Sequence, residues 1–187
     1  MNEVVGRTAS GSSAIDLGAI DLGAVDLTGR EVLSYEGFGT AVRDLAERIH
    51  DDGFEPDWIL AIARGGLIIG GAVAYALGHK NIATINVEFY TGVDERLDVP
   101  VELPPVLNLD DLANRRVLVA DDVADTGETL KLVLDKCGPA VVDLRSVVLY
   151  EKPRSVVRAD YVWRHTDRWI DFPWSSRPPV GRVTEQP

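Results

Sequence analysis

The chain has 187 residues, 45% of them hydrophobic, which is enough for one substantial core and too little for two ordinary enzyme domains. Its 30 acidic residues against 19 basic ones leave a net charge of −11, a field that repels phosphate backbones and anionic lipid. Neither nucleic acid nor a membrane is therefore expected as a partner, and a phosphorylated ligand needs local devices: backbone N–H groups, a helix N-terminus or a metal ion.

Residues 1–29 stand apart. Gly, Ala and Ser dominate, and a pentapeptide recurs as Ile15-Asp16-Leu17-Gly18-Ala19, Ile20-Asp21-Leu22-Gly23-Ala24 and Val25-Asp26-Leu27. A period of five fits neither strand nor helix, so a flexible tail is expected. One domain over 30–176 and a C-terminal tail over 177–187 follow. Phe38, Val42, Leu45, Ala46 and Ile49 keep helical spacing, with Gly53 and Pro56 as the stop. Trp58 to Ala63 predicts a buried strand. Gly65 to Leu77 predicts an apolar helix closed by Gly78, and Ile82 to Val87 a second strand. Tyr90 to Asp110, with Gly92, four acidic residues before Leu103, and Pro100, Pro104 and Pro105, predicts a long loop of the kind that forms lids. Val117 to Ala120 predicts a third strand, Glu128 to Cys137 a helix, and Val141 to Leu149 a fourth strand. Cys137, the only cysteine, excludes an intrachain disulfide and a cysteine metal cluster. With no apolar run of about 18 residues and no basic-then-apolar leader, a soluble cytoplasmic protein is expected. Alternating strands and helices imply an α/β fold with a mostly parallel sheet covered on both faces. The aromatic pieces Tyr161 to Trp163 and Trp169 to Phe172 are assigned to a small C-terminal lobe, about 150–176, over the sheet's carboxyl edge, where ligands bind in open α/β folds.

The most informative segment is Val117-Leu118-Val119-Ala120-Asp121-Asp122-Val123-Ala124-Asp125-Thr126-Gly127-Glu128-Thr129-Leu130. An apolar strand runs into three carboxylates and then a Thr-Gly turn that opens a helix. Adjacent carboxylates repel unless something positive or hydrogen-donating lies between them. A ribose diol with Mg²⁺ meets that need. The turn from Asp125 to Thr129 places successive N–H groups and two hydroxyls at a helix N-terminus, a phosphate cradle. Capping preference explains Asp and Thr in the turn; it does not require Asp121 and Asp122 beside it.

This segment strongly resembles the signature of the type I phosphoribosyltransferase family: an apolar run, two acidic residues, then Asp-Thr-Gly-x-Thr. The resemblance implies that family's fold, with a hood lobe, and Mg²⁺-dependent transfer of ribose 5-phosphate from phosphoribosyl pyrophosphate to a base. It assigns Asp121 and Asp122 to the ribose hydroxyls and the metal. It assigns Asp125, Thr126, Gly127, Glu128 and Thr129 to the 5-phosphate, with Asp125 also as general base. The turn Ala63-Arg64-Gly65-Gly66 is a weak signal alone, since many α/β proteins carry glycines there. By resemblance it grips pyrophosphate, and Ala63-Arg64 is a candidate non-proline cis bond.

Leu149-Tyr150-Glu151-Lys152-Pro153 and Thr166-Asp167-Arg168-Trp169-Ile170-Asp171-Phe172-Pro173-Trp174 are similar to the 6-oxopurine branch of the family. That similarity implies a purine partner, with Lys152 donating to its 6-oxygen, Trp169 stacked on its ring, and Ile170 and Asp171 completing the base site. Lysine has only donors, so it suits an oxo group and disfavours an amino group. Lys152 as a surface lysine and Trp169 as a packing residue are the ordinary alternatives. The lid carries Phe89-Tyr90-Thr91 where the family has a Ser-Tyr type pair. A homo-oligomer is expected. Two rival functions stand beside this one: a non-catalytic regulator that binds phosphoribosyl pyrophosphate, and a transferase for a pyrimidine or another acceptor.

Overall fold

Ser34 starts the first long element because its Oγ accepts the Gly37 N–H at 3.0 Å, satisfying a donor that the first turn leaves free. The computed structural model describes residues 24–25, 29–92, 95–103 and 108–181, with side chains over 29–87 and 108–181. Most of the pentapeptide tail and residues 182–187 lie outside the described residues. The elements are β1 (Ala24–Val25), β2 (Glu31–Val32), α1 (Tyr35–Asp51), β3 (Trp58–Ala63), α2 (Gly65–Leu77), β4 (Ile82–Gly92), β5 (Glu95–Leu103), a short 3-10 turn at Leu109–Leu112, β6 (Arg116–Ala124), α3 (Glu128–Cys137), β7 (Asp143–Glu151), β8 (Tyr161–His165) and β9 (Ile170–Asp171). No helix among the described residues is long and apolar enough to cross a membrane.

Six strands form one sheet in the order β5-β4-β3-β6-β7-β8, all parallel except β5, which pairs antiparallel with β4. α1 and α2 cover one face with Leu45, Ile49, Ile69 and Val73 against Leu118, Ala120 and Leu149. Leu130, Val133 and Cys137 of α3 cover the other face against Val117, Val119 and Val148. Alternate residues of β6 thus serve opposite cores, the period-2 logic of a strand buried on both sides.

Three expectations are corrected. Tyr90 to Asp110 is not a loop throughout: β4 runs on to Gly92 and returns as β5, with Val87 opposite Glu102 and Glu88 opposite Val101. Pro100 is tolerated because β5 is an edge strand, where a missing donor breaks no inner ladder. Tyr161 to Trp163, assigned to the lobe, belongs to β8, the sixth strand of the main sheet, where Tyr161 and Trp163 are buried against α1. The small sheet of the lobe is instead β1-β2-β9, and two residues of the expected tail, Ala24–Val25, pair antiparallel with Glu31–Val32. Phe172, stacked on Trp174 at 4.9 Å, and the edge-on pair Tyr150–Phe172 at 5.8 Å fasten this lobe to the main core.

Candidate active site

β3, β6 and β7 are parallel neighbours in which Ala61 pairs with Ala120 and Ala124 with Glu151, so residues 63–66, 121–129 and 151–155 meet at one edge. The expected strand Val117 to Ala120 extends through the acidic pair to Ala124. That extension decides where the carboxylates point. Leu118 and Ala120 face α1 and α2 while Val117 and Val119 face α3, so alternation sends Asp122 toward α2 and Asp121 toward α3.

The surroundings agree with this parity. The Asp122 carboxylate occupies the space that a Cβ on Gly65 would need, and a Cβ on Gly66 would run into the Ala120 carbonyl. Glycine at both positions lets the first turn of α2 lie directly on β6. Arg64 is exposed just before that turn, and its peptide bond with Ala63 is cis, the form for which the sequence makes it a candidate. On the other side, Asp121 lines a cavity of about 80 Å³ with Asp125, Thr126, Gly127 and Thr129. Gly127 is left-handed at φ +77° and leads into α3, and the Glu128 N–H donates to Thr126 Oγ1 at 3.4 Å. The positive end of α3 thus faces this loop.

Both acidic residues of the strand hold carboxyls above the ordinary carboxylate value. Burial is the main cause for each; the Asp122 charge adds to it for Asp121, while backbone hydrogen bonds and the Trp174 indole only partly offset it for Asp122. The Asp122 N–H donates to Asp121 Oδ1 at 2.9 Å. Trp174, to which the sequence assigned no role, thus reaches the site from the lobe.

The turn after β7 forms the next wall. The Lys152 N–H donates to the Ala124 carbonyl at 3.0 Å, the Val156 N–H to the Thr126 carbonyl at 2.8 Å, and Ser155 Oγ sits where a Cβ on Gly127 would go. The Lys152 side chain is only 8% exposed, and its Nζ lies 3.3 Å from Asp125 Oδ1 and 5.8 Å from the centre of the Trp169 ring. Trp169 itself is 65% exposed, a flat face open to solvent rather than packed. Ile170 and Asp171 are brought beside it and are otherwise engaged: the Ile170 side chain is in the core, and Asp171 accepts from Arg30 at 3.2 Å. Sequence reasoning missed Arg154, whose Nε donates to Asp125 Oδ1 at 2.8 Å and whose Nη2 donates to Oδ2 at 2.7 Å. Burial alone would raise the Asp125 carboxyl, but the hydrogen bonds and charges of Arg154 and Lys152 outweigh it and hold it low.

A larger cavity of about 670 Å³ lies at the opposite, amino edge of the sheet, between His50, Trp58, His79 and Arg115. Its Arg116 is already paired with Asp57 and Glu55, and none of the motif residues reaches it. The chemistry gathers at the carboxyl edge.

Comparison with known proteins agrees with this geometry. The model of the phosphoribosyl transferase domain matches residues 29–179. The xanthine-guanine phosphoribosyltransferase of Idiomarina loihiensis is 30% identical over 144 residues, covering 76% of this chain and 84% of that protein. The structure of a purine phosphoribosyltransferase from Pyrococcus horikoshii superposes with a TM-score of 0.68 at 32% identity, over 81% of this chain and 97% of that one. A xanthine-guanine-hypoxanthine phosphoribosyltransferase from Helicobacter pylori, 22% identical over 77% of this chain and 92% of that one, shares the fold at a TM-score of 0.62. With a small cavity at a helix start, two half-buried carboxyls and a glycine turn at one sheet edge, and with a family model spanning most of its length, the chain belongs to the phosphoribosyl transferase family.

Proposed function

We propose that the chain transfers ribose 5-phosphate from phosphoribosyl pyrophosphate to a ring nitrogen of a 6-oxopurine, that is guanine, hypoxanthine or xanthine, and releases pyrophosphate. The observation that carries this reading is Lys152: a buried ammonium at the mouth of the phosphate loop, beneath an exposed indole face. A donor-only group there donates to an oxo substituent and leaves an amino group opposed to it, which costs about 1–3 kcal/mol. The relatives named for xanthine, guanine and purine transfer support the same base class.

In this reading the loop from Asp125 to Thr129 holds the 5-phosphate, and Ala63, Arg64, Gly65 and Gly66 hold the pyrophosphate. Asp121 and Asp122 would hold Mg²⁺ with the ribose hydroxyls. They fit that ion, since both are half-buried carboxyls without an ion-pair partner among the described residues, and Mg²⁺ takes one or two carboxylates plus substrate oxygens. When bound, the ion supplies charge neutralisation to the departing pyrophosphate. The purine nitrogen forms its bond to C1 of the ribose as the bond to pyrophosphate breaks, and its proton passes to the Asp125 carboxylate. Such a centre has oxocarbenium character and must be kept from water. β4 continues past Asn86, the partner of Ala63, to Gly92, so the β4–β5 ribbon projects beyond the carboxyl edge and is the element suited to that shielding.

A cytoplasmic homo-oligomer completes the proposal. The lone buried Cys137 suits a reducing compartment. α2 carries no charged side chain and leaves Leu67 and Tyr75 exposed by 43% and 93%, the face on which two copies of a chain of net charge −11 meet with least repulsion. Steady-state assays of Lys152→Ala and Trp169→Ala test the base site: both should raise the oxopurine KM while the KM for phosphoribosyl pyrophosphate stays near wild type. Indifference of oxopurine transfer to Lys152→Ala would overturn the assignment.

A further inference from the structure

Asp125 is claimed twice before any substrate arrives. Arg154 engages both of its oxygens in a fork, and Lys152 Nζ stands 3.3 Å from Oδ1. The fork and the lysine crowd Oδ1 and take one position on Oδ2, so a substrate N–H that comes in from the guanidinium's side has to displace it to reach the carboxylate. Asp125 is the only hydrogen-bonding partner of Arg154 among the described residues, and the Arg154 side chain is 63% exposed. A pair this exposed is open to competition from water, salt and an incoming ligand, so it can be exchanged.

We infer that Arg154 is a positioning residue that latches Asp125 in the resting enzyme and exchanges places with the purine's ring N–H when the base binds. The inference rests on the proposed transfer to a 6-oxopurine. Arg154 is built for this place: Pro153 and Ser155 flank it on the turn whose Val156 N–H and Ser155 Oγ are seated on Thr126 and Gly127, so the guanidinium is anchored to the same loop it guards. Lys152 stays on Asp125 after the exchange and holds the carboxylate in register with the base. Asp121 lines the same cavity, and Glu151, the β7 partner of Ala124, is itself paired with Arg158. Among the described residues Arg154 and Lys152 are the cations that hold the Asp125 carboxyl low.

The test is the pH dependence of kcat/KM for an oxopurine in wild type, Arg154→Ala and Arg154→Lys. Opening the latch permanently, Arg154→Ala should lower the base KM about two- to fivefold, with the KM for phosphoribosyl pyrophosphate unchanged. It should also move the acidic limb of the profile to higher pH, because the carboxylate loses a cation that favours its charged form. Arg154→Lys keeps the charge without the fork and should hold the limb near its wild-type position. A raised base KM in Arg154→Ala would make Arg154 a direct substrate contact and overturn the latch, as would an unmoved KM and limb. Wild type without oxopurine turnover would instead refute the proposed function, and the latch with it.

Discussion

Replacing Gly127 by Ala tests the lock between the Asp125–Thr129 loop and the turn that follows β7. Gly127 sits at φ +77°, a conformation that costs an L residue roughly 1–2 kcal/mol. The added Cβ would also overlap Ser155 Oγ and approach Val156 N to 3.1 Å and Val157 Cγ1 to 3.2 Å, crowding of the kind that costs about 1–3 kcal/mol. Together these predict that Gly127→Ala loses about 2–5 kcal/mol. Ser155→Ala alone removes a hydroxyl that donates to the Val157 carbonyl at 2.7 Å, worth about 1 kcal/mol. In the double variant the main overlap is gone while the backbone cost stays, so the two losses should be less than additive by about 1–2 kcal/mol. Urea unfolding of the four proteins measures this directly. Additivity within about 0.5 kcal/mol would show that the loop and the turn are not in contact at Gly127, and the wall built from residues 152–157 would have to be redrawn.

Asp121→Asn with Asp122→Asn should abolish Mg²⁺-dependent binding of phosphoribosyl pyrophosphate in calorimetry. Stability at neutral pH should be kept, since burial already disfavours the charged forms of both carboxyls. Asp57 accepts the Arg116 N–H at 2.8 Å and its guanidinium at 3.1 Å, which hold its carboxyl below the ordinary 3.8. A depressed carboxyl contributes stability above the unfolded value that is lost as pH falls through the folded one, so Asp57→Asn should flatten the loss of stability below about pH 4. Tyr75→Glu should lower the oligomeric mass seen by sedimentation; an unchanged mass would remove α2 from the interface.

What the sequence carries well is pattern. The helix Gly65–Leu77 was legible to the residue because a run of apolar and small residues starts at a glycine pair and stops at Gly78, which takes the left-handed closing position. Glu128–Cys137 was legible for a similar reason, through the Thr-Gly turn before it. The ribbon over β4 and β5 was not, because prolines and acids that break an inner strand are harmless on an edge. β8 was misplaced since two aromatic residues alone do not say whether they face a sheet or a lobe, and the partner that decides it, α1, is more than 100 residues away. The acidic pair was visible as a pair, while the opposite directions of Asp121 and Asp122 depended on how far β6 continues. Arg154 had no signal at all. A single arginine after Lys152-Pro153 belongs to no period, and its contact with Asp125 spans 29 residues of chain that only the register of β6 on β7 brings together.

The central claim is tested most directly by initial rates with phosphoribosyl pyrophosphate and Mg²⁺ against guanine, hypoxanthine, xanthine, adenine, uracil and orotate in turn, with the nucleotide product identified by chromatography. The account predicts turnover with at least one 6-oxopurine and rates with adenine roughly 5- to 150-fold lower in kcat/KM, the range that 1–3 kcal/mol of mismatch at Lys152 allows. Robust transfer to adenine or a pyrimidine would contradict the base site, and binding of phosphoribosyl pyrophosphate without turnover on any base would contradict the enzyme.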